Sequence, residues 1–486
     1  MVSGFSKFFP ARRQQGTAIS TGHWIHRNNR SRSGNRAQET AEYVLKPIAE
    51  LRYRVHPGGC LQGKLRVPGD KSISHRAVML GSLATGVTRV SGFLEGEDSL
   101  ATLHAFRRMG VSIQGPEAGR LEIAGVGMHG LEAPADGCLD LGNSGTSMRL
   151  LCGLLAGQRF DTRLSGDSSL CKRPMGRVTL PLSQMGAFIE TTPEGTAPLC
   201  IRGGRPLHGI RYELPVASAQ VKSSLLLAGL YAQGETCVVE PVPTRDHTER
   251  MLEGFGYPLR RAGAKISVVG GGELTGRSID VPADISSSAF FLVGASIARG
   301  SDLYLEHVGI NPTRDGVITI LRLMGADITV LNPRSVGGEP VADLRVRAAP
   351  LHGVVIPADL VPLAIDEFPA IFVAAACAKG ETQLTGAEEL RVKESDRIQV
   401  MADGLRVLGI DARPAPDGMI IRGGRLSGGR VSSQGDHRVA MAFAIAGLAA
   451  AEEIEIEECD NVNTSFPGFA TLAQGLGLAI REWRSE

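Results

Sequence analysis

Cations recur where a helix should repel them. Lys71 and Arg76 lie in Asp70-Lys-Ser-Ile-Ser-His-Arg76, Lys222 in Ser218-Ala-Gln-Val-Lys222 and Arg438 in Asp436-His-Arg438. Each string opens with an Asp or Ser of the kind that caps a helix N-terminus. Such an end already carries about half a positive charge and free N–H groups, so repeated Lys and Arg there call for an external anion to offset them. Connecting loops add Lys172-Arg173, Arg245 and Arg391-Val-Lys393-Glu-Ser-Asp-Arg397. Asp366-Glu367 and Glu394 lie beside these cations, where a carboxylate can cap a helix, pair with a cation or carry a proton. The chemistry within reach of this set is recognition of phosphate and carboxylate groups, with acid–base steps beside them.

Other chemistries lack their signatures. His75, His247 and His437 fall in the same strings without a His-x-x-x-His or His-x-Glu metal pattern, and read as structural or substrate-contact residues. Eight scattered cysteines form no Cys-x-x-Cys pair and read as reduced thiols. Neither a dinucleotide fingerprint nor a P-loop is present. No metal and no cofactor is therefore expected. A net charge of +1 supplies no global field for nucleic acid, and the cations are not interleaved with aromatics as in stacking platforms. No apolar run reaches the roughly 18 to 20 residues of a membrane helix.

The elements that must position these residues repeat six times. A Leu or Met, one residue and a Gly open each copy, usually with a Pro following: Leu61-Gln-Gly63, Met128-His-Gly130, Leu207-His-Gly209, Leu274-Thr-Gly276, Leu351-His-Gly353 and Leu426-Ser-Gly428. A polar cap and an apolar helix come next, starting at Asp70, Asn143, Ser218, Asp284, Asp366 and Asp436. A second helix then ends near Gly110, Gly186, Gly256, Gly325, Gly409 and Gly477. Each unit reads strand, helix, strand, helix, strand. Units packed with quasi-symmetry would aim several helix N-termini into one cleft, a ready anion site.

Residues 1–56 differ in kind. Seven Lys and Arg precede the first acidic residue, Glu39, amid Ser, Gly and Asn, a composition that predicts a disordered extension. It suits a transit peptide to a plastid or a plain extension of a cytoplasmic protein; the cytoplasm is the expected location.

Four motifs in order, Pro68-Gly-Asp-Lys-Ser-Ile-Ser-His-Arg76, Leu141-Gly-Asn-Ser-Gly-Thr146, Arg391-Val-Lys-Glu-Ser-Asp-Arg397 and Asp436-His-Arg-Val-Ala-Met441, resemble the 5-enolpyruvylshikimate-3-phosphate synthase family over about residues 58–484. Lys172-Arg-Pro-Met-Gly-Arg177 and Thr244-Arg-Asp-His-Thr-Glu249 look like its bacterial class II branch. The resemblance implies an α/β fold of two similar domains, each of three βαβαββ units with helices inside. It places the crossings near Gly69 and before Asp284, giving one domain of 57–69 plus 283–486 and a second of 70–282.

The family reaction joins the 5-hydroxyl of shikimate 3-phosphate to C2 of phosphoenolpyruvate, protonates C3 and expels phosphate, with no metal or cofactor. The resemblance implies that Asp366 deprotonates the hydroxyl, Glu394 exchanges the C3 proton and Lys71 meets both substrates. Phosphoenolpyruvate would be held by Lys71, Gly145, Thr146, Arg173, Arg397 and Arg438. Shikimate 3-phosphate would be held by Ser72, Arg76, Ser218, Ala219, Gln220, Arg245, Asp366 and Lys393. Many relatives carry a Lys before a Thr-Phe-Pro near the C-terminus, whereas this chain reads Asn463-Thr-Ser-Phe-Pro467, so that phosphate contact is not carried over. Gly145, where insensitive relatives have Ala, implies sensitivity to glyphosate. A monomer is expected. Two alternatives are a sister family acting on UDP-N-acetylglucosamine, for which Cys171 is the one tempting loop cysteine, and a non-catalytic anion-binding scaffold.

Overall fold

The computed structural model describes residues 50–484, and the expectation of disorder over 1–49 lies outside them. At its C-terminal end the expected extension needs correction. Leu51–Val55 is a strand, paired antiparallel with Ile454–Glu457 on one side and Ile480–Arg484 on the other. Leu51, Tyr53 and Val55 alternate into the core, the two-residue period of a half-buried strand. Arg52 and Arg54 occupy its outer face, lying over the ring of Trp483 and pairing with glutamates.

Six sheets form among the described residues. One unit shows the grammar of all. Cys138–Asp140 leads through the helix Gly145–Ala156 to a parallel partner, Thr162–Ser165. The helix Gly176–Gln184 then leads to an antiparallel hairpin, Phe188–Glu190 and Leu199–Arg202, whose second strand lies against Thr162–Ser165. The second helix of every unit ends at a glycine with positive φ, between 82° and 115° at Gly110, Gly186, Gly256, Gly325, Gly409 and Gly477. This is the left-handed turn that stops a helix without Cβ strain.

Two units exchange their first strands. Gln62–Leu65 runs parallel to Asp302–Gly309, while Ser278–Asp280 runs parallel to Thr85–Ser91. The two connections meet where Gly69 bridges Ala283. A Cβ on Gly69 would lie 1.8 Å from the carbonyl oxygen of Gly92, so only glycine lets the chains pass. The fifth unit has isolated bridges, His352 to Lys379 and Val355 to Gln383, in place of a first strand. Leu51–Val55 completes the sheet of the sixth.

The first helices of the units are apolar nearly all round and lie inside. Ile285–Ile297, Phe368–Cys377 and His437–Ala446 pack in one apolar core with Leu51–Val67 and the chain beyond Ala283. Lys71–Leu83, Gly145–Ala156 and Ala219–Gly229 pack in a second core that spans Ile73 to Val281. A helix buried on every side leaves only its polar N-terminal turn free for function.

Candidate active site

Capping side chains anchor those N-terminal turns. Asp70 accepts from the N–H of Ile73, Ser144 from Ser147, Ser218 from Val221, Asp284 from Ser286, and Asp436 from Arg438 and Val439. The fifth turn breaks the pattern. Its cap is Glu367, which makes no capping bond, and Asp366 is free to face the cleft. There it accepts from Arg245, which belongs to the other core, and pairs with Arg397 Nη1 at 3.3 Å and Lys393 Nζ at 3.5 Å. Burial pushes the Asp366 carboxyl up, but Arg245, Lys393, Arg438 and Arg397 together overcome it and hold the group well below the usual carboxylate range.

Arg397 organises the second carboxylate. Only 1% of its side chain is exposed, yet it donates Nε to Asp436 at 2.8 Å and Nη2 to Glu394 at 2.6 Å. Burial opposes its charge, and Asp436, Glu394 and Asp366 restore it, so its pKa is raised. Glu394 also faces Arg173 Nη1 at 3.5 Å, again across the two cores. Its carboxyl is pushed up by burial and pulled well below its ordinary value by Arg397, Arg173, His437 and Lys393. Both candidate acid–base groups are thus ionised and ringed by cations.

On the other core the polar turns supply donors. Lys71 Nζ pairs with Asp98 and donates to Ser465 Oγ at 2.8 Å. Gly145 opens its helix beneath two guanidinium groups, those of Arg149 and Arg173. Thr146 Oγ1 accepts from Gln220 Nε2 at 3.1 Å, and Gln220 Oε1 accepts from Arg149 at 3.0 Å. Arg173 Nη2 donates to Asn143 Oδ1 at 2.7 Å. Ser72, Ser218 and Ala219 sit at the first turns of Lys71–Leu83 and Ala219–Gly229, and Arg438 at that of His437–Ala446.

Two cations behave differently. Arg76 is 4% exposed and its Nε, Nη1 and Nη2 already donate to Thr248, to the carbonyl of Ser72 and to Ser223; burial lowers it to about 10. Lys222 is wholly buried between Glu240 and Glu249, at 3.0 and 2.7 Å. The sequence reading of Lys222 as an anion-site cation is therefore corrected: its own lobe supplies the counter-charge. Glu240 in turn accepts from the backbone and hydroxyl of Thr244, which fixes the loop that presents Arg245.

Several site residues escaped the sequence reading. Asp98, Asn143, Arg149 and Ser465 all touch expected site residues, and Arg314 ties the caps Asp70 and Asp284 and Ser286 together at the crossing. Asn143 and Ser465 stood in quoted strings, without a role assigned to either. No group of three or more His, Cys, Asp or Glu suited to a metal occurs among the described residues. Cys171 is half-buried and its thiol donates to the Gly166 carbonyl at 3.3 Å. An open cleft of about 810 Å³ lined by Arg89, Glu117, Arg120 and Asp280 contains none of these side chains.

The family model described as EPSP synthase (3-phosphoshikimate 1-carboxyvinyltransferase) matches residues 55–472. The chain belongs to the EPSP synthase family. A curated 3-phosphoshikimate 1-carboxyvinyltransferase of Alkalilimnicola ehrlichii is 70% identical over 437 residues, 90% of this chain and 98% of that protein. One from Methylococcus capsulatus is 70% identical over 431 residues, covering 89% and 98%. A solved EPSP synthase of Acinetobacter baumannii shares 58% identity at a TM-score of 0.81 and covers 89% of this chain and all of that one. The enolpyruvyl transferase NikO of Streptomyces tendae, at 17% identity and a TM-score of 0.73, shares the fold. The α/β fold of paired three-unit halves with helices inside is thus the enolpyruvyl transferase fold, as the motifs implied.

Proposed function

We propose that the cleft transfers the enolpyruvyl group of phosphoenolpyruvate to the 5-hydroxyl of shikimate 3-phosphate, releasing phosphate, the activity of the EPSP synthase family to which the chain belongs. The observation that carries the residue roles is the pairing of two ionised carboxylates, Asp366 and Glu394, with cations from both cores. Asp366 orients and deprotonates the hydroxyl, and Glu394, once protonated, delivers its proton to C3 and retakes one as the ketal collapses. Lys71 meets both substrates and protonates the leaving phosphate. Arg173, Arg397 and Arg438 clamp phosphoenolpyruvate with the turn at Gly145 and Thr146, their planar forks matching carboxylate and phosphate. Arg245, Lys393, Ser72, Ser218, Ala219 and Gln220 hold shikimate 3-phosphate, with Arg76 stiffening that side from within.

The two separate apolar cores support domains of 57–69 plus 283–486 and of 70–282, the first extended back to Leu51. Substrates bridging them would draw the cores together and exclude water from the ketal. Both cores come from one chain, which suits a monomer working in the cytoplasm; no described helix is long and apolar enough to cross a membrane. Phosphate release from purified protein tests the reading. Release that needs both substrates and collapses in Glu394→Ala supports it. Binding of shikimate 3-phosphate without release favours a scaffold, and release with UDP-N-acetylglucosamine instead favours the sister family.

A further inference from the structure

The Lys71 ammonium has three N–H bonds, and two are already committed, one to a residue from each core. Asp98, on the helix Glu97–Arg108, takes one as an ion pair. Ser465, just beyond the 3-10 turn Asp460–Thr464, accepts another at 2.8 Å. Both are buried, Asp98 7% and Ser465 8% exposed, so neither contact is a solvated surface pair of little worth. Ser465 Oγ also lies 3.2 Å from His437 Nε2. A hydroxyl has one proton and two lone pairs. With Lys71 donating into the oxygen, the serine proton can point at Nε2 in the tautomer that carries the ring proton on Nδ1. Burial and the neighbouring Lys71 keep His437 down at about 3, so the ring is neutral and one of its two nitrogens is an acceptor.

We propose that Asp98 and Ser465 are positioning residues that hold the Lys71 ammonium from the two cores and aim its remaining N–H at an anionic oxygen of phosphoenolpyruvate. The proposal rests on the transfer reading above and adds to it two residues to which the sequence assigned no role. Asp98 anchors the ammonium within its own lobe; Ser465 is reached only when the other lobe is in place, so Lys71 is aimed only where the cleft is assembled. His437 fixes the rotamer of Ser465 by accepting its proton.

Steady-state phosphate release by the full chain, with each substrate varied in turn, tests this. Ser465→Ala is expected to lower kcat/KM for phosphoenolpyruvate by about tenfold to a hundredfold, the loss of one charge-assisted hydrogen bond. KM for shikimate 3-phosphate, which Lys71 also meets, should move less than that for phosphoenolpyruvate, the thermal midpoint should stay unchanged, and Ser465→Thr, which keeps the hydroxyl, should recover most of the loss. Ser465→Ala combined with Asp98→Asn should cost less than the product of the single losses, because both act through one ammonium. Full activity in Ser465→Ala, a loss that Thr does not recover, or independent multiplication of the two losses would overturn the clamp while wild-type release stands. No release from the wild type would overturn the transfer reading and the clamp together.

Discussion

Arg245 donates to Asp366 across the cleft although 121 residues separate them. The contact joins a loop of one core to the free carboxylate at the uncapped helix start of the other. Asp366 is thereby kept ionised, and Arg245 is held at the place where a phosphate would claim it. Asp366→Asn should leave shikimate 3-phosphate binding measurable by calorimetry while lowering kcat by about a hundredfold to ten-thousandfold, the range of a lost general base. Arg245→Ala should instead raise KM for shikimate 3-phosphate most. Equal effects of the two variants on that KM would contradict the division of roles.

Gly145 has two guanidinium groups overhead. A Cβ there would stand 2.7 Å from Arg149 Nη1 and 2.9 Å from Arg173 Nη1. Both are ends of flexible side chains, so Gly145→Ala should fold and push Arg173 off its place. The expected result is a KM for phosphoenolpyruvate raised about tenfold, from one weakened charged contact. Micromolar glyphosate should inhibit the wild type at low phosphoenolpyruvate and inhibit the variant less. Unchanged inhibition in both assays would show that the arginines do not respond to this position.

Lys222 offers the opposite test, because its counter-charges are internal. Lys222→Met leaves Glu240 and Glu249 buried without their cation, a change that costs about 3–5 kcal/mol when one partner of a buried pair is removed. The denaturant midpoint should fall sharply. A ligand-binding lysine would behave otherwise, raising a KM with the midpoint unmoved.

Lys222 also marks the limit of what sequence discloses. Its capped helix start is local information, as are the six Leu/Met-x-Gly phrases and the glycines that end each second helix, and all of these are where the spacing puts them. Whether a cation at such a start faces the cleft or the interior depends on Glu240 and Glu249, brought in by folding, and no local pattern announces that. The same holds for Asp98 and Ser465, which reach Lys71 from separate elements. Asp366 illustrates the converse: it reads as one more cap, yet Glu367 holds the cap position without a capping bond and Asp366 goes to the arginines. Leu51–Val55 was hidden because its partners lie at the other end of the chain, while its basic residues continue the composition before it.

Two buried histidines set the expected response to acid. His75, whose Nδ1 lies 2.7 Å from Thr102 Oγ1, is held well below its ordinary value by burial and by Lys71 and Arg76. His437 is held at about 3 by burial and Lys71, with Arg438 also lowering it and Asp436 and Glu394 opposing. The unfolded chain takes up these protons near pH 6.5, and the folded chain resists them. Their contribution to stability is therefore complete above about pH 6.5 and is lost as the pH falls toward the folded values, on the order of a few kcal/mol for His437. Asp366, Glu394 and Asp436, all lowered in the fold, add their loss only below about pH 4.5. The histidines should pull the thermal midpoint down between about pH 6.5 and 4.5, before the three lowered carboxylates contribute and against the opposite pull of Glu240, whose carboxyl burial raises, and His437→Gln, which cannot protonate but can still meet Ser465, should flatten that decline. A wild-type decline that His437→Gln leaves unchanged would mean that His437 does not resist protonation, and the neutral ring that receives the Ser465 proton would have to be abandoned with it.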